Sequence, residues 1–212
     1  AARSGKKWFP YNKGGEFRRW YGNNDCVINW QRDGYEILHP NEGETRSFQN
    51  VQENTRFVPH VTWSKVSSGS IAFRYKPQGH LYDMAGASMF ASEDVLNYVQ
   101  GVLSSKIIDK VSSLISPTLN FEPGQIGSYP IIQSPQHRDE VIRLVEENRE
   151  LSKTDWDSFE TSWDFEQHPL LPHGDETKLA DTYSAWEREA SDRWNQLKAN
   201  EERLNEIFIE VY

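Results

Sequence analysis

The residues best suited to chemistry open the chain: Gly5-Lys6-Lys7-Trp8-Phe9-Pro10-Tyr11-Asn12-Lys13-Gly14-Gly15-Glu16-Phe17-Arg18-Arg19-Trp20-Tyr21-Gly22-Asn23-Asn24. Cations, aromatics and glycines are interleaved along this stretch. Lys6, Lys7, Lys13, Arg18 and Arg19 can neutralise phosphates. Glycine lets a backbone approach a ligand closely. Asn23 and Asn24 carry the amide geometry that pairs with adenine at a base edge. Trp8, Phe9, Trp20 and Tyr21 either stack on an unpaired base or fill a core, and the sequence leaves both readings open. A second cluster is Trp63-Ser64-Lys65-Val66-Ser67-Ser68-Gly69-Ser70, followed by Arg74, Lys76 and Gln78. Its hydroxyls and cations suit phosphate and base-edge contacts. The same composition also makes a solubilising turn.

Charge separates these clusters from the rest. The formal net charge of −9 argues against nucleic acid only as an average. Residues 1–80 hold 12 Lys+Arg against 7 Asp+Glu, residues 81–130 hold 2 against 5, and residues 131–212 hold 9 against 20. A basic region with an anionic partner and an acidic region facing elsewhere fits this asymmetry. With both candidate clusters inside the basic region, DNA is the better reading of them.

The elements that must position these residues begin with short strands. Cys26–Trp30 and Val58–Trp63 are β-prone runs. Ser70–Tyr75 alternates, with Ile71, Phe73 and Tyr75 on one face and Ala72 and Arg74 on the other, which predicts a half-buried strand. Residues 38–56 are polar and aperiodic and read as a loop. A helix follows, with Ser92 as cap, Glu93 and Asp94 in its first turn, and Val95, Leu96, Val99, Leu103 and Ile107 on one face. Gly101 inside it points to a close packing contact, and the serine pairs at 104–105 and 112–113 are candidate interruptions. Residues 117–124 read as a loop and 129–132 as an edge strand or extended segment. Beyond Pro135 the pattern is helical: Glu140–Leu151, a short helix capped by Thr154 or Asp155, a break at 168–173, and a long helix from about Glu176 to Val211.

Several function classes are excluded or weakened. The chain has no phosphate-binding loop, no dinucleotide glycine motif, no nucleophile elbow and no Pro-Pro dipeptide. Asp164 ahead of Glu176 and Lys178 mimics a metal-dependent nuclease pattern. That spacing also fits a charged helix start. His168 and His173 read as surface histidines beside prolines. One cysteine, Cys26, permits neither an internal disulfide nor a thiolate zinc cluster. No apolar run approaches a membrane span, and no signal peptide opens the chain. A cytoplasmic protein is expected. The start at Ala1-Ala2-Arg3 without Met is expected of a fragment.

Residues 5–24, residues 62–90 and Pro117-Thr118-Leu119-Asn120-Phe121-Glu122-Pro123-Gly124-Gln125-Ile126 carry a family resemblance. So does Leu151-Ser152-Lys153-Thr154-Asp155-Trp156-Asp157-Ser158-Phe159-Glu160-Thr161-Ser162-Trp163-Asp164-Phe165, the most specific match. Together they resemble the C-terminal half of the large adenine-specific DNA methyltransferases of BREX phage-defence systems, the PglX family. More distantly, the chain is similar to target-recognition domains of type I restriction specificity subunits. The resemblance implies a recognition part only, inactive alone and with no cofactor of its own. The S-adenosylmethionine pocket and the Asn-Pro-Pro-Tyr motif of the family lie upstream. The fragment would grip double-stranded DNA and choose where an adenine is flipped out.

On this reading the fold is α+β. Residues 1–135 form a mixed-sheet recognition domain, and residues 136–212 an acidic helical spacer ending in a long helix. The spacer would dock the upstream methyltransferase domain or other phage-defence subunits. A phage DNA-mimic inhibitor could occupy the basic face. Two other readings stay open: a nuclease using Asp164, Glu176 and Lys178, or an interaction module docking a partner through Trp186 and Trp194.

Overall fold

A computed structural model describes residues 4–40, 51–67, 69–115, 120–171 and 178–212. It is α+β, with two small sheets and a helical layer. Strands β1 (Trp8–Asn12), β2 (Val27–Asn29) and β5 (Leu81–Tyr82) form one sheet in the order β2-β1-β5. β1 is antiparallel to β2 and parallel to β5. Strands β3 (His60–Thr62), β4 (Arg74–Lys76) and β6 (Ser88–Met89) form the other in the order β4-β3-β6, all antiparallel. Buried Asn12 links the sheets: its side-chain amide donates to Thr62 Oγ1 at 2.7 Å and to Gly86 O at 3.2 Å.

Helix α1 is one turn (Tyr35–Leu38). Helices α2 (Glu93–Leu103) and α3 (Lys106–Ile115) meet at Ser104–Ser105, so the first serine pair interrupts the helical run and the second does not. Ser105 Oγ donates to Val102 O, the local competition with the helix ladder that serine offers. Helix α4 (Pro123–Ile126) forms where a loop was expected. Pro123 sits in its first turn, where a missing N–H costs nothing, and Glu122 with Gln125 closes a capping box.

Helix α5 (Arg138–Asp157) runs unbroken through Thr154 and Asp155. No separate short helix starts there, because the candidate caps lie inside α5 and point to solvent or to Arg18. Helix α6 (Leu179–Val211) ends as expected; the part of its expected start before Lys178 lies outside the described residues. Among the described residues no helix is long and apolar enough to cross a membrane.

One hydrophobic core spans the chain. Trp20, Trp63 and Phe73 from the strand-rich half pack with Leu96 and Val102 of α2, Val141 and Val145 of α5, and Leu204 and Phe208 of α6. The change of composition near residue 135 therefore does not coincide with a break in packing. A smaller cluster of Trp30, Val51 and Leu81 lies under the first sheet. Polar links cross the same boundary: Arg149 Nε donates to Gln100 Oε1 at 2.7 Å, and Gln100 Nε2 donates to the carbonyls of Trp20 and Phe73.

Gly101 is where α2 meets α5 most closely. A Cβ there would stand 2.9 Å from Val141 Cγ1 and 3.0 Å from Val145 Cγ2. Both neighbours are β-branched and stiff. Gly101→Leu is expected to lower stability by about 3 kcal/mol through overpacking, read from the urea midpoint. A midpoint unchanged from the parent chain would show that the helices separate freely.

Candidate nucleic-acid interface

Strand β1 alternates between core and solvent. Phe9 and Tyr11 pack on the small cluster, while Trp8 is 56% exposed. Across the ribbon, Trp8 faces Asn29 and Pro10 faces Val27, which is also exposed. Lys7 Nζ lies 5.3 Å from the Trp8 ring centroid, a cation–π contact at the surface. Lys6, Lys7 and Lys13 are exposed and form no ion pair among the described residues. Of the four aromatics weighed above, Trp8 alone faces solvent strongly; Trp20 and Tyr21 are buried and Phe9 is half-buried.

The remaining residues expected at the DNA surface are held by the protein itself. Arg18 pairs with Asp155 and lies 5.0 Å from the Trp156 ring. Arg19 pairs with Asp109 at 3.3 Å and Glu201 at 3.5 Å. Burial raises the Asp109 carboxyl pKa, with the Arg19 charge opposing. Trp20 Nε1 donates to Glu201 Oε1 at 2.7 Å, so residues 18–20 are tied to α3, α5 and α6. Asn23 Nδ2 donates to Glu16 O at 3.0 Å, and Asn24 is buried.

Arg74 and Lys76 are internal, only 1% and 0% exposed. Arg74 donates to the carbonyls of Glu16 and Arg18 and to Ser64 Oγ. Lys76 Nζ donates to the carbonyls of Gly22 and Asn23 and to Asn24 Oδ1. Burial pushes the Lys76 pKa down to about 7, helped by the Arg74 charge, and pushes Arg74 down to about 10. The expectation of a half-buried strand fails here for a physical reason: both faces of residues 71–74 are covered. An alternating pattern cannot reveal that the polar face is roofed by the 14–24 loop.

The glycines of that loop also serve the fold. A Cβ on Gly15 (φ +124°) would stand 2.7 Å from Asn23 Nδ2, and one on Gly14 (φ +85°) 3.0 Å from Ala85 O. Ser64 Oγ donates to Gly15 O at 2.7 Å. The loops around residues 13–15, 64–67 and 83–86 thus meet at one end of the sheets, bringing Lys13 toward the second cluster. In that cluster Lys65 pairs with Glu122 at 3.0 Å, and Ser67 Oγ donates to Ser70 O. Ser68 lies outside the described residues.

Asp164 of the nuclease pattern pairs with Lys153 at 3.4 Å, and Lys178 precedes α6. Glu176 and His173 lie outside the described residues. Among the described residues no group of His, Cys, Asp and Glu could hold a metal ion.

Sequence reasoning did not find β1 as a strand, although Trp8/Pro10 against Phe9/Tyr11 carries the period of two. It also missed Phe17, 58% exposed, on a cavity of about 590 Å³ between the 17–20 loop and helices α5 and α6.

What these residues define is an α+β module in which exposed lysines flank strand β1 and a helical wall secures the loop that follows it. No family model matches the chain. It is 41% identical over 215 residues to adenine-specific methyltransferase PglX of Lacticaseibacillus casei (strain Zhang), covering 98% of this chain and 18% of that protein. It is 34% identical over 212 residues to adenine-specific methyltransferase BrxX of Escherichia coli O9:H4 (strain HS), covering 99% of this chain and 17% of that protein. The chain is homologous to one segment of these methyltransferases and spans less than a fifth of their length.

Proposed function

We propose that this chain is the DNA-recognition segment of an adenine-specific DNA methyltransferase that acts in bacterial phage defence. The observation that carries the reading is the exposed set Lys6, Lys7 and Lys13, without an ion pair among the described residues, flanking surface Trp8 on β1 in a chain homologous to methyltransferase segments. A two-stranded β-ribbon fits the major groove of B-DNA, and its lysines would hold the flanking phosphates. The methyl donor, S-adenosylmethionine, and the methyl-transfer chemistry would belong to the rest of the parent protein. This segment would set which adenine is presented to it.

The contact set narrows from the sequence expectation. Lys6, Lys7 and Lys13 carry phosphate contacts, with Ser67 on the adjoining loop. Arg18, Arg19, Asn24, Arg74 and Lys76 support the fold. Arg19→Ala is accordingly expected to cost about 1 kcal/mol of stability while changing DNA affinity less than about twofold. Urea unfolding and fluorescence anisotropy with a labelled duplex measure the two effects. A large loss of affinity without loss of stability would return Arg19 to the interface.

The decisive experiment exchanges the whole 212-residue segment into a related methyltransferase and maps methylated adenines genome-wide. Exchange at residue 135 would cut through the shared core. A changed methylated motif supports the reading, and methylation at the host enzyme's old motif refutes it.

A further inference from the structure

The ribbon of β1 and β2 has two faces of different chemistry. Its antiparallel register pairs Trp8 with Asn29, Phe9 with Ile28 and Pro10 with Val27, and paired residues share a face. Phe9 and Ile28 pack on the small cluster. The other face therefore carries Trp8, Pro10, Val27 and Asn29. Trp8 is 56% exposed and Val27 51%.

The side chains of this face restrict what it can recognise. Pro10 and Val27 carry no polar side-chain atom. Asn29 spends its amide locally: Nδ2 donates to Glu36 Oε2 at 3.3 Å, and Oδ1 accepts from the Gln31 backbone N–H at 3.1 Å. The outermost groups are the Trp8 ring and the Val27 methyls. Such a face is a poor match for the donors and acceptors by which most base edges are told apart. It matches one feature of the major groove, the C5-methyl of thymine, which is read by apolar contact. Charge points to the same ligand. Lys6 and Lys7 precede the face and Lys13 follows it, all exposed. On the β2 side Arg32 pairs with Glu36, and Asp25 precedes the strand. A neutral apolar partner would leave the three lysines without counter-charge. Duplex DNA brings phosphates and methyl groups together.

We infer that Trp8 and Val27 read thymine methyl groups in the major groove, so that the recognised sequence carries thymine where the ribbon lies. This rests on reading the chain as a DNA-recognition segment. The dimensions agree with it. Trp8 and Pro10 stand two residues apart on β1, about 6.7 Å along the strand, and Val27 lies beside Pro10. That distance is about two base-pair rises. Trp8 and Val27 thus reach thymines within a window of about three base pairs, while the lysines hold phosphates outside it.

The test uses the intact parent protein and a labelled duplex carrying its methylated site. Each thymine is replaced in turn by deoxyuridine, which lacks only the methyl group. Fluorescence anisotropy should show binding about fourfold weaker at a thymine in contact, the value of one buried methyl. Trp8→Ala should weaken binding to the all-thymine duplex and abolish the deoxyuridine penalty at one position. Val27→Ser should abolish it at a neighbouring one. Both side chains are exposed, so both variants should melt with the parent protein. A merely structural role would leave the deoxyuridine penalty in place. Absence of any penalty, or penalties that persist in both variants, overturns the inference. Variants that bind every duplex as the parent does would assign the face to a protein contact and overturn it as well. Failure of the DNA reading itself would appear separately, in the lysine variants, so the two failures are distinguishable.

Discussion

Replacing Lys6, Lys7 and Lys13 together by alanine is expected to weaken duplex binding about a hundredfold at 0.1 M salt. The slope of log affinity against log salt should become shallower by about 3, one unit for each phosphate contact removed. The magnitude follows from counterion release: each neutralised phosphate frees most of one condensed cation. These three lysines are exposed and form no ion pair among the described residues, so their charge is available at no structural cost. The variants should therefore melt with the parent chain. Measurement is by fluorescence anisotropy from 50 to 300 mM salt (roughly the range in which slopes are read). A salt slope equal to the parent's would remove β1 from the interface. Loss confined to one DNA sequence would mean that these lysines read bases rather than phosphates.

The same contrast explains what was legible beforehand. Local signals placed β2 and β3, the start of α2, the serine break after it and most of α6, because these depend on neighbours in sequence. Gly101 was legible because a glycine in a helix has few other reasons to persist. The cationic pattern could not sort exposed members from buried ones. Lys7 and Lys76 look alike in sequence. One lies over a surface tryptophan, and the other ends on three acceptors from a loop some fifty residues away. That loop folds back because Trp20, at φ +67°, inserts its backbone beside β4. No local pattern encodes that return. Nor does the acidity of residues 131–212 announce that Asp155 and Glu201 exist partly to hold Arg18 and Arg19. Charge asymmetry suggested two faces turned apart; part of it is instead a seam between them.

The buried basic groups also make stability depend on pH in one direction. His60 packs against the rings of Tyr82 and Phe90, which also touch each other, and its Nδ1–H donates to Val58 O at 2.8 Å. Burial lowers its pKa from 6.5 to about 4, with the Lys76 charge adding to the shift. Burial and the same lysine lower His80 to about 3. In the unfolded chain both take up protons near 6.5, so below that pH the unfolded state binds more protons than the folded one. Stability is then fully present above pH 6.5 and falls as pH drops toward 4, by about 3 kcal/mol for each histidine. His80 continues the loss toward pH 3. Lys76 acts with the same sign on the alkaline side. Its folded pKa of about 7 lies below the unfolded 10.5, so stability rises from pH 7 upward. Urea unfolding at pH 7.0, 5.5 and 4.5 (roughly the window these shifts define) should show a steep decline in midpoint. His60→Phe keeps an aromatic ring against Tyr82 and Phe90 and cannot be protonated. It should remove about half of that decline. An equally steep decline in the variant would mean that carboxylates, not this histidine, carry the acid sensitivity.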